Sequence, residues 1–187
     1  MIAPHVLRLD HTGRPVTWLS PEEASVYYAK DAIVWTLGEP LVILRGGWSR
    51  ARDMRSTLDI HPIIAVRGED QGTAQQTPRL DNRTLFQRDQ HLCLYCGQTH
   101  AAHELTRDHV RPLAQGGRDR WENVVTACRR CNHHKGARTP EEADMPLLAV
   151  PFKPNRAEWL ALSGRRILAD QMAFLSGYFS ARMRERM

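Results

Sequence analysis

Two Cys-x-x-Cys pairs, Cys93 with Cys96 and Cys128 with Cys131, use all four cysteines of the chain. No other feature limits the fold as tightly. A Cys-x-x-Cys turn brings two sulfur atoms to one point, and two such turns complete a tetrahedral shell around Zn²⁺. Disulfides suit this spacing poorly. A redox Cys-x-x-Cys normally stands alone beside a βαβ pattern, which this sequence lacks. The expectation is a structural zinc ion. The segment is short and has little apolar core of its own, so metal binding would supply much of its folding energy.

Between the pairs, LTRDHV (residues 105–110) reads as a short strand ended by Arg111-Pro112. Gln115-Gly116-Gly117 is a loop signal, because glycine permits a positive φ. Val124-Val125-Thr126 is a second β-branched run leading into the second cysteine turn. NHHKGAR then reads as a short helix closed near Gly136. The unit predicted is β-β-α with the cysteines at its base, and Asp108, His109 and Asn132 are expected to converge on one side of it.

The order of these motifs resembles the HNH endonuclease family, in its zinc-containing branch with two Cys-x-x-Cys pairs and a ββα-metal fold, of bacterial or phage type. The elements that carry the resemblance are Cys93/Cys96, Asp108-His109-Val110-Arg111-Pro112, Gly116-Gly117, Glu122-Asn123 and Cys128/Cys131-Asn132-His133-His134-Lys135-Gly136. The third residue of the family's name is Asn132 here rather than histidine. The resemblance implies a metal-dependent DNA endonuclease. His109 would be general base, since a neutral imidazole accepts a proton near pH 7. Asp108 and Asn132 would offer hard oxygen ligands to a catalytic Mg²⁺ or Mn²⁺. Asn123 would hold the loop and orient the base. Adjacent residues on a regular strand point to opposite faces, so Asp108 and His109 can share a site only where the strand twists or ends.

Charge agrees with a polyanionic partner. The net charge is +5 and the isoelectric point near 9.3. Residues 1–80 hold nine basic and nine acidic side chains, whereas 81–140 hold ten and six, so the excess sits on the candidate nuclease module. Arg107, Arg111, Arg129, Arg130, Lys135 and Arg138 are the expected nucleic-acid contacts, with double-stranded DNA the expected partner. A non-catalytic zinc module that only binds nucleic acid is the alternative; it has no chemical need for Asp108, His109, Asn123 and Asn132 together. A ribonuclease or a delivered toxin is a third reading.

Four regions follow from composition: an α+β unit over residues 1–67, a polar linker over 68–83, the module over 84–140, and an extended segment with helices over 141–187. In the first, strands are expected over 5–10, 15–19, 33–37, 41–44 and 58–67. Ser20-Pro21-Glu22-Glu23 has the form of a capped helix start. Residues 45–55 read as a loop, with Trp48 undecided between packing and DNA contact. Near the C-terminus, helices over 156–163 and 166–184 carry an apolar stripe suited to docking on the body of the protein or on a second copy in a homodimer. No apolar run approaches the ~20 residues that span a bilayer. Without a signal-peptide pattern at the start, and with thiols arranged for zinc, the cytoplasm is the expected location.

Overall fold

The computed structural model describes residues 4–51, 53–68, 77–164 and 166–184. The expected α+β class is found, with small sheets and six α-helices among the described residues. The chain divides into two compact units. One combines residues 1–76 with 156–187, and the other is 77–155. The C-terminal helices thus complete the first unit, and residues 141–155 complete the second. Of the linker expected over 68–83, residues 69–76 lie outside the described residues, and a helix already begins at Asn82.

In the first unit, β1 (Val6–Leu9) lies between β2 (Pro15–Leu19) and β6 (Ile63–Val66), and β3 (Ile33–Leu37) borders β6. β1 and β6 are parallel and the other pairs antiparallel. Helix α1 (Pro21–Ala29) starts as its sequence requires. Ser20 Oγ accepts from the Glu23 amide at 3.2 Å, and Glu23 accepts from the Ser20 amide at 2.7 Å. Val6, Leu19, Ala24, Ile60, Ile64 and Val66 form the core of this unit.

Three elements differ from expectation. Residues 45–55 are not a loop: β4 (Val42–Ser49) and β5 (Met54–Ile60) form an antiparallel hairpin. The glycines Gly46 and Gly47, which made the stretch look irregular, sit at a break in its register. The strand expected over 58–67 is two strands, because Pro62, which has no N–H to donate, separates β5 from β6. The long helix expected over 166–184 is α5 (Ala169–Ser176) and α6 (Ala181–Arg184), which follow α4 (Arg156–Ser163). Gln171 joins these helices to the sheet, since its buried amide donates to His5 O and Pro62 O at 2.8 Å each.

In the second unit, α2 (Asn82–Arg88) is capped by Asp81 and Thr84. The antiparallel pair β7 (Leu105–His109) and β8 (Val124–Cys128) follows, and then α3 (Arg129–Lys135). This is the predicted ββα arrangement. Apolar packing here falls into two small clusters, one of Leu85, Phe86, Leu105, Trp121 and Val124, the other of Cys93, Ala127 and Cys128. A buried ion pair joins the pieces. Arg88 forks onto Asp89 with two bonds of 2.9 Å and donates its remaining hydrogens to the carbonyls of Trp121, Phe152 and Val124. No helix among the described residues is long and apolar enough to cross a membrane.

Candidate metal centre and nuclease site

The cysteines come together as their spacing predicts. Their four sulfur atoms lie within 4.8 Å of one another, and among the described residues no other group of His, Cys, Asp or Glu side chains gathers to hold a metal. Zn–S bonds of about 2.3 Å in a tetrahedron separate the sulfurs by about 3.8 Å, so the cluster fits zinc. Gly97 has φ +72° in the first turn, where its amide donates to Cys93 O at 2.9 Å. A Cβ there would also meet Leu148 Cδ1 at 3.3 Å. In the second turn, Cys128 ends β8 and caps α3, its sulfur accepting from the Cys131 amide at 3.4 Å. Burial, opposed by nearby backbone N–H groups that outweigh it, leaves the Cys93 thiol below its ordinary pKa. Burial and the neighbouring sulfurs push Cys131 far up. Crowded sulfurs resist ionising together, and a bound cation removes that resistance.

Strand β7 sorts the remaining site residues onto two sides. Toward α3, Asn132 Nδ2 donates to Thr106 Oγ1 at 2.9 Å, and Lys135 Nζ donates to Asp108 Oδ1 at 3.0 Å and His109 O at 2.8 Å. Asp108 is buried, and its second oxygen accepts from Tyr95 Oη. Burial and the Asp108 charge push the Tyr95 hydroxyl far above its ordinary pKa, which keeps it a donor. On the other side, His109 Nε2 lies 3.0 Å from Asp119 Oδ1, and Arg107 Nη1 holds the second Asp119 oxygen at 2.6 Å. Asp108, His109 and Asn132 therefore do not converge on one side; strand alternation holds to the last residue of β7.

Asn123 is buried and fully used in holding the loop, as the resemblance implies. Its Oδ1 accepts from the Arg111 amide at 2.9 Å, and its Nδ2 donates to the Arg111 and Arg118 carbonyls at 3.0 and 2.9 Å. It makes no bond to the imidazole, whose side-chain partner is Asp119. The loop also needs Gly117, where a Cβ would lie 1.9 Å from Arg111 O. Burial would raise the Asp119 pKa, but the hydrogen bonds and charges of Arg107 and His109 outweigh it and hold the carboxyl below its ordinary range. Asp119 was missed in the sequence because ten residues and an irregular loop separate it from His109.

Asp108, expected to ligate a divalent ion together with Asn132, already has protein partners in this arrangement. An ammonium group already neutralises Asp108, and both carboxylate oxygens are engaged. Asn132 does offer an Oδ1 with no protein partner among the described residues. Lys135 is a further correction: it is completely buried, so it is no phosphate contact. Arg107 is tied to Asp119 and to Asn82 Oδ1. Arg138 folds back on the carbonyls of His134 and Lys135, completing the helix end. Arg111, Arg129 and Arg130 are exposed. Arg129 and Arg130 line an open groove of about 1120 Å³ with Cys96, His103, His133 and His134, which His109 does not line.

These elements define a ββα module built around a four-cysteine metal centre. The family model described as HNH endonuclease matches residues 93–148, which bears out the resemblance of that segment and supports a nuclease-type function. Among solved structures, the Type II-C Cas9 enzyme from Actinomyces naeslundii is similar at 23% identity and a TM-score of 0.31. That likeness covers 51% of this chain and 11% of the Cas9 chain, so this protein spans about a tenth of that enzyme's length. No curated protein matches.

Proposed function

We propose that the protein is a DNA endonuclease that hydrolyses phosphodiester bonds with His109 as general base and with structural zinc at the four cysteines. The observation that carries this reading is the contact of His109 with Asp119. An ionised carboxylate only accepts hydrogen bonds, so Nε2 must carry the imidazole proton. In the neutral imidazole Nδ1 then keeps its lone pair and takes a proton from water. The water oxygen bonds to phosphorus as the bond to the 3′ oxygen breaks, and that oxygen takes a proton from solvent water. The products would be a 5′ phosphate and a 3′ hydroxyl. Arg107 fixes Asp119, and Asn123 fixes the loop that presents it. Asp108 and Asn132 would hold the Mg²⁺ or Mn²⁺ that the resemblance implies, with Lys135 competing for the same carboxylate.

A second reading has an observation in its favour. With Asp108 neutralised by Lys135 on the side of β7 away from the imidazole, the module would be a zinc-supported nucleic-acid binder without catalysis. Plasmid cleavage by the zinc-loaded chain, with Mg²⁺, Mn²⁺ or neither, separates the two. Cutting that is lost in His109→Ala, with zinc content unchanged, supports the endonuclease. A requirement for added metal would support a divalent ion at Asp108 and Asn132. Binding without cutting by either protein would leave the binder.

A further inference from the structure

The β4–β5 hairpin presents a face that the first unit does not use for its own packing. Leu44 and Leu58 are paired across the hairpin and turn toward the core. Strand alternation therefore puts Ile43, Arg45, Arg55 and Thr57 on the opposite face, together with one acidic residue, the exposed Asp59 paired with Ile43. The break in register at the two glycines pairs Trp48 with Arg55, and paired residues share a face, so the indole joins them. Trp48 is 61% exposed and Ile43 57%. Arg45 and Arg55 are exposed, with no hydrogen bond or ion pair among the described residues. Residues 42–60 hold four arginines and two aspartates, within an N-terminal stretch of 80 residues whose charges otherwise cancel to a negative remainder. An exposed indole beside two unpaired guanidinium groups is well suited to a polyanion that also offers apolar sugar and methyl edges.

We propose that this face is a nucleic-acid-binding surface, with Arg45 and Arg55 on phosphates and Trp48 against a sugar or a thymine methyl. The occupant is duplex DNA: a two-stranded ribbon fits its major groove, and the charge complements its backbone. The inference adds a binding surface outside the nuclease module and rests on the reading that the chain acts on DNA.

The test uses the full zinc-loaded chain carrying His109→Ala, a labelled DNA duplex, and anisotropy titrations over a range of salt. Arg45→Ala with Arg55→Ala should weaken binding and flatten the slope of log K against log salt by about 1.8, near 0.9 for each phosphate left without its guanidinium. Arg45→Lys with Arg55→Lys should restore most of that slope. Trp48→Ala should weaken binding about fivefold, and Trp48→Phe should recover much of it. Arg14→Ala with Lys30→Ala removes the same charge from exposed positions of the same unit and should leave the slope close to wild type. Circular dichroism confirms that each variant is folded. Wild-type affinity in the hairpin variants, or equal loss in the control pair, overturns the proposal. So does a dimer that Trp48→Ala turns into a monomer with DNA binding intact, because the face would then meet protein. Cleavage by the His109 chain with unaltered binding in the hairpin variants would sink the hairpin and spare the nuclease. Binding that depends on the hairpin in a chain that never cleaves would do the reverse, and absence of any DNA binding would overturn both.

Discussion

The two units solve the same problem of stability by opposite means. The first packs helix α1 on its sheet around Val6, Ile60 and Ile64, and buries Leu7, Leu9, Ile63 and Leu175 besides. The second divides its apolar packing between two small clusters and relies on polar groups at the joints: four cysteines, the Arg88–Asp89 pair, and Lys135 on Asp108. Burial of hydrocarbon is indifferent to pH and metal, whereas every polar joint of the second unit works in one state of ionisation or ligation. The unit with the candidate chemistry is thus the one whose integrity depends on solution conditions.

Removing the metal should break the contrast most. Structural zinc contributes about 10–16 kcal/mol in small zinc-folded peptides. Chelation, or Cys128→Ser, should therefore unfold residues 77–155 and leave the amides of β1, β2 and β6 protected in hydrogen exchange. Uniform loss of protection in both units would refute independent stabilisation.

The next largest effect should come from Arg88→Ala, which removes the cation from buried Asp89 and one donor from each of three carbonyls. The expected cost is about 3–5 kcal/mol, read from urea unfolding of the zinc-loaded chain. Arg88→Lys should recover little, since an ammonium cannot serve five positions with fork geometry. A midpoint within experimental error of wild type would refute the role given to Arg88.

The smallest effect tests the first unit. Burial would raise the Asp10 pKa, but bonds from the Thr12 hydroxyl and the Arg14 and Thr12 amides outweigh it and hold it below 3.8. A depressed folded pKa means that the stabilisation is complete above the unfolded value and is lost as pH falls through the folded one. Asp10→Ala should cost on the order of 1 kcal/mol at neutral pH, and the difference from wild type should shrink below about pH 4. A difference that does not change with pH would show that the carboxylate charge is irrelevant there.

What the sequence disclosed follows the range of the interactions involved. The cysteine centre was legible because each turn is local and its ligand types are few. Helix α1 was legible because Ser20, Pro21 and Glu23 act within one turn. Arg88 was opaque: it looks like a surface residue next to Asp89, and its other partners come from residues 121, 124 and 152. Lys135 was misjudged because lysine is rarely buried, and only the packing of α3 on β7 reveals the carboxylate beneath it. The hairpin was hidden by the glycines and arginines that also give its outer face its character. The separation of Asp108 from His109 was foreseeable from strand alternation, but the motif suggested convergence more strongly than the backbone allows.

Cys128 has one mechanical consequence. It is at once the last residue of β8, the cap of α3 and a member of the sulfur cluster, so the helix pivots on the metal centre. From that pivot α3 runs about 10 Å to Lys135, a lever whose free end carries the group seated on Asp108. A small change of angle at the sulfurs is thus magnified at the far end. An ion held by the sulfurs at one end of the helix would thus help to set the charge pair at the other.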